Sequence, residues 1–167
     1  ALHTAYAFSL IGGIVLGIAG VFFAPEVLRL MNTPDELMAT SLLYIRIYFA
    51  GLVFVFIYNM GSAVLRAIGD SKRPLYFLLF SAFLNIALDL LFVIAFKMDI
   101  AGAAYATILS QFISAALVLF VLTRSAGPYA IHWGDLCIKG YILKKVLAIG
   151  LPSGVQNSII AFANVIV

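Results

Sequence analysis

Residues 75–123 read LYFLLFSAFLNIALDLLFVIAFKMDIAGAAYATILSQFISAALVLFVLT, two apolar runs joined by the short polar segment Lys97-Met98-Asp99. A transmembrane helix needs roughly 20 mostly apolar residues, and each run reaches that length. A strand of a membrane barrel would alternate apolar and polar residues, whereas Phe92-Val93-Ile94-Ala95-Phe96 is apolar throughout. The stretch therefore predicts a tight hairpin of two transmembrane helices.

The remainder of the chain has the same apolar character. Hydrophobic residues make up 65% of the 167 residues and charged residues 10%, whereas a soluble domain is nearer half apolar and a quarter charged. The predicted spans are about 5–24, 41–65, 75–96, 100–123 and 146–167. Helices satisfy their backbone polar groups internally, as hydrocarbon requires, so the predicted fold class is all-α, a polytopic transmembrane helix bundle. Pro25 and Pro34 predict the break between the first two spans.

Basic residues are distributed unevenly between the connecting segments. Lys and Arg are concentrated in segments 66–74 and 124–145 and are sparse in segments 25–40 and 97–99. Because cytoplasmic loops carry the excess of Lys and Arg, the first two segments are predicted to be cytoplasmic and the other two to face outward. This topology explains the net charge of +3, and we expect no nucleic-acid partner.

Asp89 lies well inside a predicted span, whereas the other acidic residues lie in connecting segments. An ionisable residue at such depth is costly and is a candidate functional residue. Asn85 precedes it by one helical turn and shares its helix face. Counting from the hairpin at 1.5 Å per residue predicts that Asp89 is level with Thr107, and Asn85 with Gln111. We therefore expect these four polar side chains to converge in the outward half of the membrane.

Carboxylate, amide and hydroxyl oxygens are hard ligands that suit a monovalent cation or a proton. The cluster around Asp89 therefore predicts a cation- or proton-binding site, whose occupancy would bias an equilibrium between two conformations. The alternative is that these side chains only join helices, through hydrogen bonds worth about 0.6 kcal/mol on average. The sequence contains no nucleophile–base constellation, phosphate loop or metal-ligand set. We therefore predict neither an enzyme nor any cofactor other than Na⁺ or H⁺ as the coupling ion.

Four short motifs occur in order along the chain. They are residues 66–74 (RAIGDSKRP), 84–92 (LNIALDLLF), 101–107 (AGAAYAT) and 150–156 (GLPSGVQ). Together they resemble the loop after the fourth helix, and the fifth, sixth and seventh helices, of multidrug and toxic compound extrusion (MATE) transporters. The resemblance implies that this chain corresponds to helices three to seven of a twelve-helix protein with two lobes. Residues 1–123 would then belong to the N-terminal lobe, 124–145 would form the cytoplasmic connector, and 146–167 would begin the C-terminal lobe.

The resemblance also implies roles for individual residues. One branch of the family binds a cation or proton in its first lobe. Asn85 and Asp89 match the fifth-helix pair of that site, Thr107 its sixth-helix hydroxyl, and Tyr44 a neighbouring fourth-helix tyrosine. Asn59 matches a position that faces the central cavity, where a role in helix packing is equally open. The family's site also uses an Asp of the first helix, which the resemblance places outside this chain.

The expected function is secondary antiport, in which inward movement of Na⁺ or H⁺ drives export of organic or cationic drugs. Gln111, like Asn59, is a candidate for the cavity wall. The expected setting is the plasma membrane of a prokaryote, and the expected partners are membrane lipid, small-molecule substrates and the remainder of a parent transporter. A flippase for lipid or lipid-linked oligosaccharide in the same superfamily is the alternative, disfavoured because no basic residue lies at depth. The second alternative is that the chain is a fragment without transport activity of its own.

Overall fold

The computed structural model describes residues 2–125 and 138–166, with side chains as far as residue 160. Within these ranges the chain is helical and contains no strand, which confirms the all-α prediction. The helices are α1 (Leu2–Leu30), α2 (Asp35–Ala50), α3 (Leu52–Ala67), α4 (Lys72–Asp89), α5 (Asp99–Arg124) and α6 (Gly140–Ile166). A π-helical segment, Leu90–Ala95, continues α4 toward the hairpin.

Among the described residues, three helical stretches are long and apolar enough to cross a membrane, namely α1, α4 with its π-helical segment, and α5. The consecutive helices α2 and α3 make a fourth if they are counted as one bent span. Residues 146–166 of the predicted fifth span, 146–167, lie within α6, and the crossing of the membrane by this span remains a prediction. α6 begins at Gly140, within the predicted connector 124–145, whose role between lobes remains a prediction and whose residues 126–137 lie outside the described residues.

The predicted span 41–65 is bent, and one prediction about a helix boundary was wrong. Within that span, α2 and α3 meet at Gly51 with a bend of 43°. A Cβ atom at Gly51 would lie 2.5 Å from Cγ1 of Ile108, so the absence of a side chain lets the bend approach α5. Pro25 lies inside α1 rather than at its end. The helix ends at Leu30, and Asn32 adopts a left-handed φ of 53° that closes it.

α5 is the central helix of the bundle. It packs against α2, α3, α4 and the π-helical segment, while α1 packs against α2 and α3. The main buried cluster lies toward the predicted cytoplasmic ends of these helices and consists of Tyr6, Val64, Leu65, Val118 and Leu122. Toward the outward end, the buried residues of α5 are small: Gly102, Ala104 and Ala106. Small residues allow helices to approach closely, so α4 and α5 form a compact hairpin where the polar residues lie.

Candidate ion-binding site

Asp89 and Asn85 lie one turn apart at the end of α4, and both side chains are half-buried. Oδ1 of Asp89 and Nδ2 of Asn85 are covered by protein, and neither has a hydrogen-bond partner among the described residues. Leaving a buried polar atom unpaired costs about 1–3 kcal/mol, and more for a charged group. Unpaired buried atoms in a native structure require an explanation, for which a bound ion is one possibility.

The negative charge of Asp89 has no basic partner in the described part of the chain. The ion pair found there joins Arg73 to Asp70, at 3.2 Å, in the turn between α3 and α4. Arg46 of α2 instead directs its Nε toward α1, where it donates to the carbonyl oxygen of Val21 at 3.4 Å. A carboxylate without a basic partner is a candidate ligand for a cation, because the attraction between opposite charges is strongest where water is excluded.

The register between α4 and α5 is set by a buried hydrogen bond. The hydroxyl of Ser81 donates to the carbonyl oxygen of Ser110 at 2.9 Å. Counting outward from this contact at equal rise places Asn85 near the level of residue 106. A Cβ atom at Gly102 would lie 3.0 Å from Cβ of Phe92, which places Asp89, three residues before Phe92, between the levels of Gly102 and Thr107. The predicted matching of Asn85 with Gln111 is therefore displaced by about one helical turn, whereas that of Asp89 with Thr107 remains a prediction.

Thr107 is half-buried, and its hydroxyl donates to the carbonyl oxygen of Ala103 on its own helix at 2.9 Å. Because its hydroxyl hydrogen points to the backbone, the lone pairs of its oxygen remain available to accept a hydrogen bond or to bind a cation. Gln111 lies one turn further along α5 and is also half-buried. These two residues share a helix face, and the cavity-lining role of Gln111 remains a prediction.

Tyr44 is half-buried on α2, where its ring stacks on that of Tyr48 with a centroid separation of 6.4 Å. It lies seven residues before Gly51 and therefore on nearly the same helix face, which contacts Ile108 of α5. Counting back along both helices from that contact places Tyr44 near the level of residue 101. Tyr44 and Asp89 are thus at similar depth.

Asn59 is exposed on α3, and its Nδ2 donates to the carbonyl oxygen of Val55, one turn earlier, at 2.8 Å. A side-chain amide bonded within its own helix does not require another partner, in contrast to that of Asn85. The structure thus distinguishes Asn59, whose amide nitrogen is hydrogen-bonded, from Asn85, whose amide nitrogen is not. The cavity-lining role of Asn59 remains a prediction.

Sequence reasoning missed two buried hydroxyl groups, those of Ser62 on α3 and Ser114 on α5. Both oxygens are covered by protein and lack a hydrogen-bond partner in the described structure. Ser114 lies seven residues after Thr107, so extending the polar helix face by one more turn would have found it. Nothing in the sequence around Ser62 distinguishes it from the packing residues beside it.

The arrangement offers hard oxygen ligands on two helices and lacks the donors of a transition-metal centre. No group of three or more His, Cys, Asp or Glu side chains able to hold a metal ion occurs among the described residues. Rotation of the Asn85 amide exchanges its nitrogen and oxygen atoms. It can therefore either donate to a carboxylate or present an oxygen to a cation.

The model of the MatE family matches residues 1–91, more than half of the chain. The chain belongs to the MATE family. It is 41% identical over 149 residues to the probable multidrug resistance protein YpnP of Bacillus subtilis (strain 168), an alignment that covers 86% of this chain and 32% of YpnP. The chain therefore spans about a third of the length of this relative. Together with its apolar helices, membership of the MATE family makes it part of a multi-pass membrane protein.

Solved MATE structures in opposite conformations resemble the chain equally well. One is the inward-facing conformation of a multidrug resistance MATE family transporter, with a TM-score of 0.81, 30% identity and coverage of 89% of this chain and 34% of that one. Another is the outward-facing conformation of such a transporter, with a TM-score of 0.83, 29% identity and coverage of 92% and 35%. The twelve-helix MATE fold supplies the architecture to which these helices belong.

Proposed function

We propose that the complete transporter carrying this chain exchanges inward-moving Na⁺ or H⁺ for outward-moving organic, including cationic, compounds. The observation that carries the proposal is the protein-covered, unpaired carboxylate oxygen of Asp89, one turn from the unpaired amide of Asn85. The names of relatives such as YpnP support multidrug export as the activity. The proposed location is the plasma membrane of a prokaryote.

Asp89 is proposed to bind the coupling ion, and its neighbours to provide further ligands. A bound Na⁺ would take oxygen ligands from Asp89, Asn85 and Thr107, while a proton would reside on the carboxylate. Either ion removes the energetic cost of the unpaired charge. Tyr44, at similar depth to Asp89, is proposed to complete the site from α2.

Coupling requires that the ion bind one conformation of the transporter more tightly than the other, because a ligand shifts an equilibrium only by its differential affinity. The chain resembles the inward-facing and outward-facing structures equally well, which supports movement of the helices as a body. Residues 1–123 are proposed to form part of the N-terminal lobe, 124–145 to connect the lobes, and 146–167 to begin the second lobe. The ion would then bias the position of one lobe against the other.

Gradient-driven efflux from proteoliposomes tests this proposal directly. The complete transporter is reconstituted, and export of a fluorescent organic cation is followed under an inward Na⁺ gradient, an inward H⁺ gradient, or neither. We expect one gradient to accelerate export and its ionophore to abolish the acceleration. Export at a rate independent of both gradients would contradict antiport. Flipping of a labelled lipid-linked oligosaccharide instead of export would contradict it as well.

Asn85→Ala is expected to weaken binding of the coupling ion. Loss of one ligand to a charged species is worth about 1.5–3 kcal/mol, so the ion concentration for half-maximal efflux should rise roughly tenfold or more. The matched control is Asn157→Ala, because Asn157 is exposed on α6, a helix that contributes no residue to the candidate ion site. An equal effect of both substitutions would show that Asn85 is not an ion ligand.

A further inference from the structure

An apolar groove runs along α5 on the side away from Thr107. Its wall includes Phe54, Phe92, Phe96, Tyr105, Leu109 and Phe112, and its volume is about 550 Å³. Tyr105, Leu109 and Phe112 follow the spacing of one helix face, whereas Thr107 is rotated by roughly half a turn from them. On α5 the groove therefore faces away from Thr107, whereas on α4 its wall residue Phe92 lies three residues after Asp89, close to the helix face that carries the carboxylate.

Aromatic contacts define the shape of the groove. The rings of Phe54 and Phe112 meet edge to face with centroids 5.1 Å apart. Those of Phe92 and Phe96 stack at 6.0 Å along the π-helical segment. The wall residues on α5 are nevertheless well exposed, with Tyr105 at 46% and Phe112 at 47%. The groove is thus an open surface channel with an aromatic floor.

The position of the groove places it in the outward half of the membrane. Its walls belong to helices that qualify as membrane spans, and it begins at Met98 in the turn predicted to face outward. From Met98 to Phe112 is about 21 Å along the helix axis, compared with about 15 Å for half of the hydrocarbon core. The groove therefore extends through the depth of one leaflet, the length over which an outer-leaflet acyl chain lies.

A basic residue lies at the mouth of the groove. Lys97 is exposed between two groove residues, Phe96 and Met98, and its left-handed φ of 53° fixes the turn. The other charged residue of this turn is the exposed Asp99, and the ion pair found in the described residues lies elsewhere. An ammonium group at the membrane surface attracts anionic lipid headgroups.

We propose that this groove binds one acyl chain of an anionic phospholipid from the outward leaflet, with the headgroup phosphate at Lys97. The apolar wall provides contact along the depth of the leaflet, and the lysine selects the charge of the headgroup. The site does not depend on ion coupling, and its failure would leave the proposed antiport unaffected.

Lipid binding to the purified complete transporter tests the headgroup. Native mass spectrometry with phosphatidylglycerol and phosphatidylcholine of the same acyl chains gives the two affinities. We expect a preference for phosphatidylglycerol, reduced about fivefold by Lys97→Gln. Asp99→Asn removes the acid from the same turn and should retain or increase the preference. Lys72→Gln, at the other end of α4, is the matched control and should leave it unchanged. A preference that survives Lys97→Gln, or one that Lys72→Gln lowers equally, overturns the headgroup assignment.

Filling the groove tests the acyl-chain assignment. Leu109→Trp should weaken binding of both phospholipids, because the larger side chain occupies the channel. Phe120→Trp, at an exposed position of the same helix outside the groove, is the control and should not weaken it. Unchanged lipid binding by Leu109→Trp, or a structure of the complete transporter with its own protein segment seated in the groove, overturns the proposal.

Discussion

Asp89→Asn is expected to abolish ion-driven export by the complete transporter while leaving its fold intact. Asparagine has nearly the shape of aspartate but neither carries a charge nor takes up a proton. The attraction between unit charges about 4 Å apart is on the order of 4 kcal/mol at the effective dielectric constant of a protein surface. Its loss should weaken cation binding by at least about a hundredfold.

The same substitution is expected to leave the thermal unfolding midpoint unchanged or to raise it. The carboxylate has a covered oxygen without a partner, and removing an uncompensated buried charge relieves its desolvation cost. This separates a functional role from a structural one, because loss of a structural residue would lower stability and transport together. The measurements are gradient-driven efflux in proteoliposomes and thermal unfolding in detergent.

Glu36→Gln is the matched control for Asp89→Asn. Glu36 is an exposed acid in the first turn of α2, and the substitution makes the same change of charge. We expect it to retain gradient-driven efflux. Full gradient-driven efflux by the Asp89→Asn transporter would remove Asp89 from the coupling mechanism.

Gly61→Ala is expected to destabilise the bundle strongly, although alanine favours helices by about 1 kcal/mol over glycine. A Cβ atom at Gly61 would overlap Cγ1 of Val118 and lie 2.5 Å from the Tyr6 hydroxyl oxygen. Both neighbours belong to the main buried cluster, where an added methyl group typically costs 1–3 kcal/mol or more. The Tyr6 hydroxyl also donates to the carbonyl oxygen of Ile57, and moving the ring would break that bond.

Gly12→Ala provides the comparison for Gly61→Ala. A Cβ atom at Gly12 would meet the ring of Phe56 at 3.9 Å, an ordinary contact. The gain in helix propensity should therefore make this substitution neutral or stabilising. Thermal unfolding of the two purified variants checks the prediction, and equal midpoints would show that the close approach at Gly61 does not limit packing.

The hairpin of α4 and α5 was predictable because each run has the length of a span and is bounded by charge. The bend at Gly51 was not, since residues 41–65 are apolar on both sides of it and contain a second glycine, Gly61, that lies inside a regular helix. Both glycines face α5: Gly51 lies at the junction beside Ile108, and Gly61 lies within α3 beside Val118. A glycine in the sequence therefore does not by itself locate the bend.

The pairing of Asp89 with Asn85 was predictable because residues four apart share a helix face, whatever surrounds them. The level of Asn85 relative to α5 was not, because the depth count assumed α-helical rise up to the turn. The π-helical segment Leu90–Ala95 has more residues per turn and brings Asp89 closer to the hairpin. The turn itself holds Lys97 and Asp99 at left-handed φ values, which the sequence did not indicate.

The order of apolar and polar residues alone determined that the chain is a bundle of membrane helices with a single acid at depth. Hydrophobicity and helix periodicity are local properties, so they can be determined from the sequence without knowledge of the neighbouring helices. Tertiary packing decided where the span formed by α2 and α3 bends, which level of α5 lies beside Asn85, and which polar atoms remain unpaired. Those features depend on contacts between residues far apart in the chain, such as Ser81 with Ser110, that no local pattern encodes.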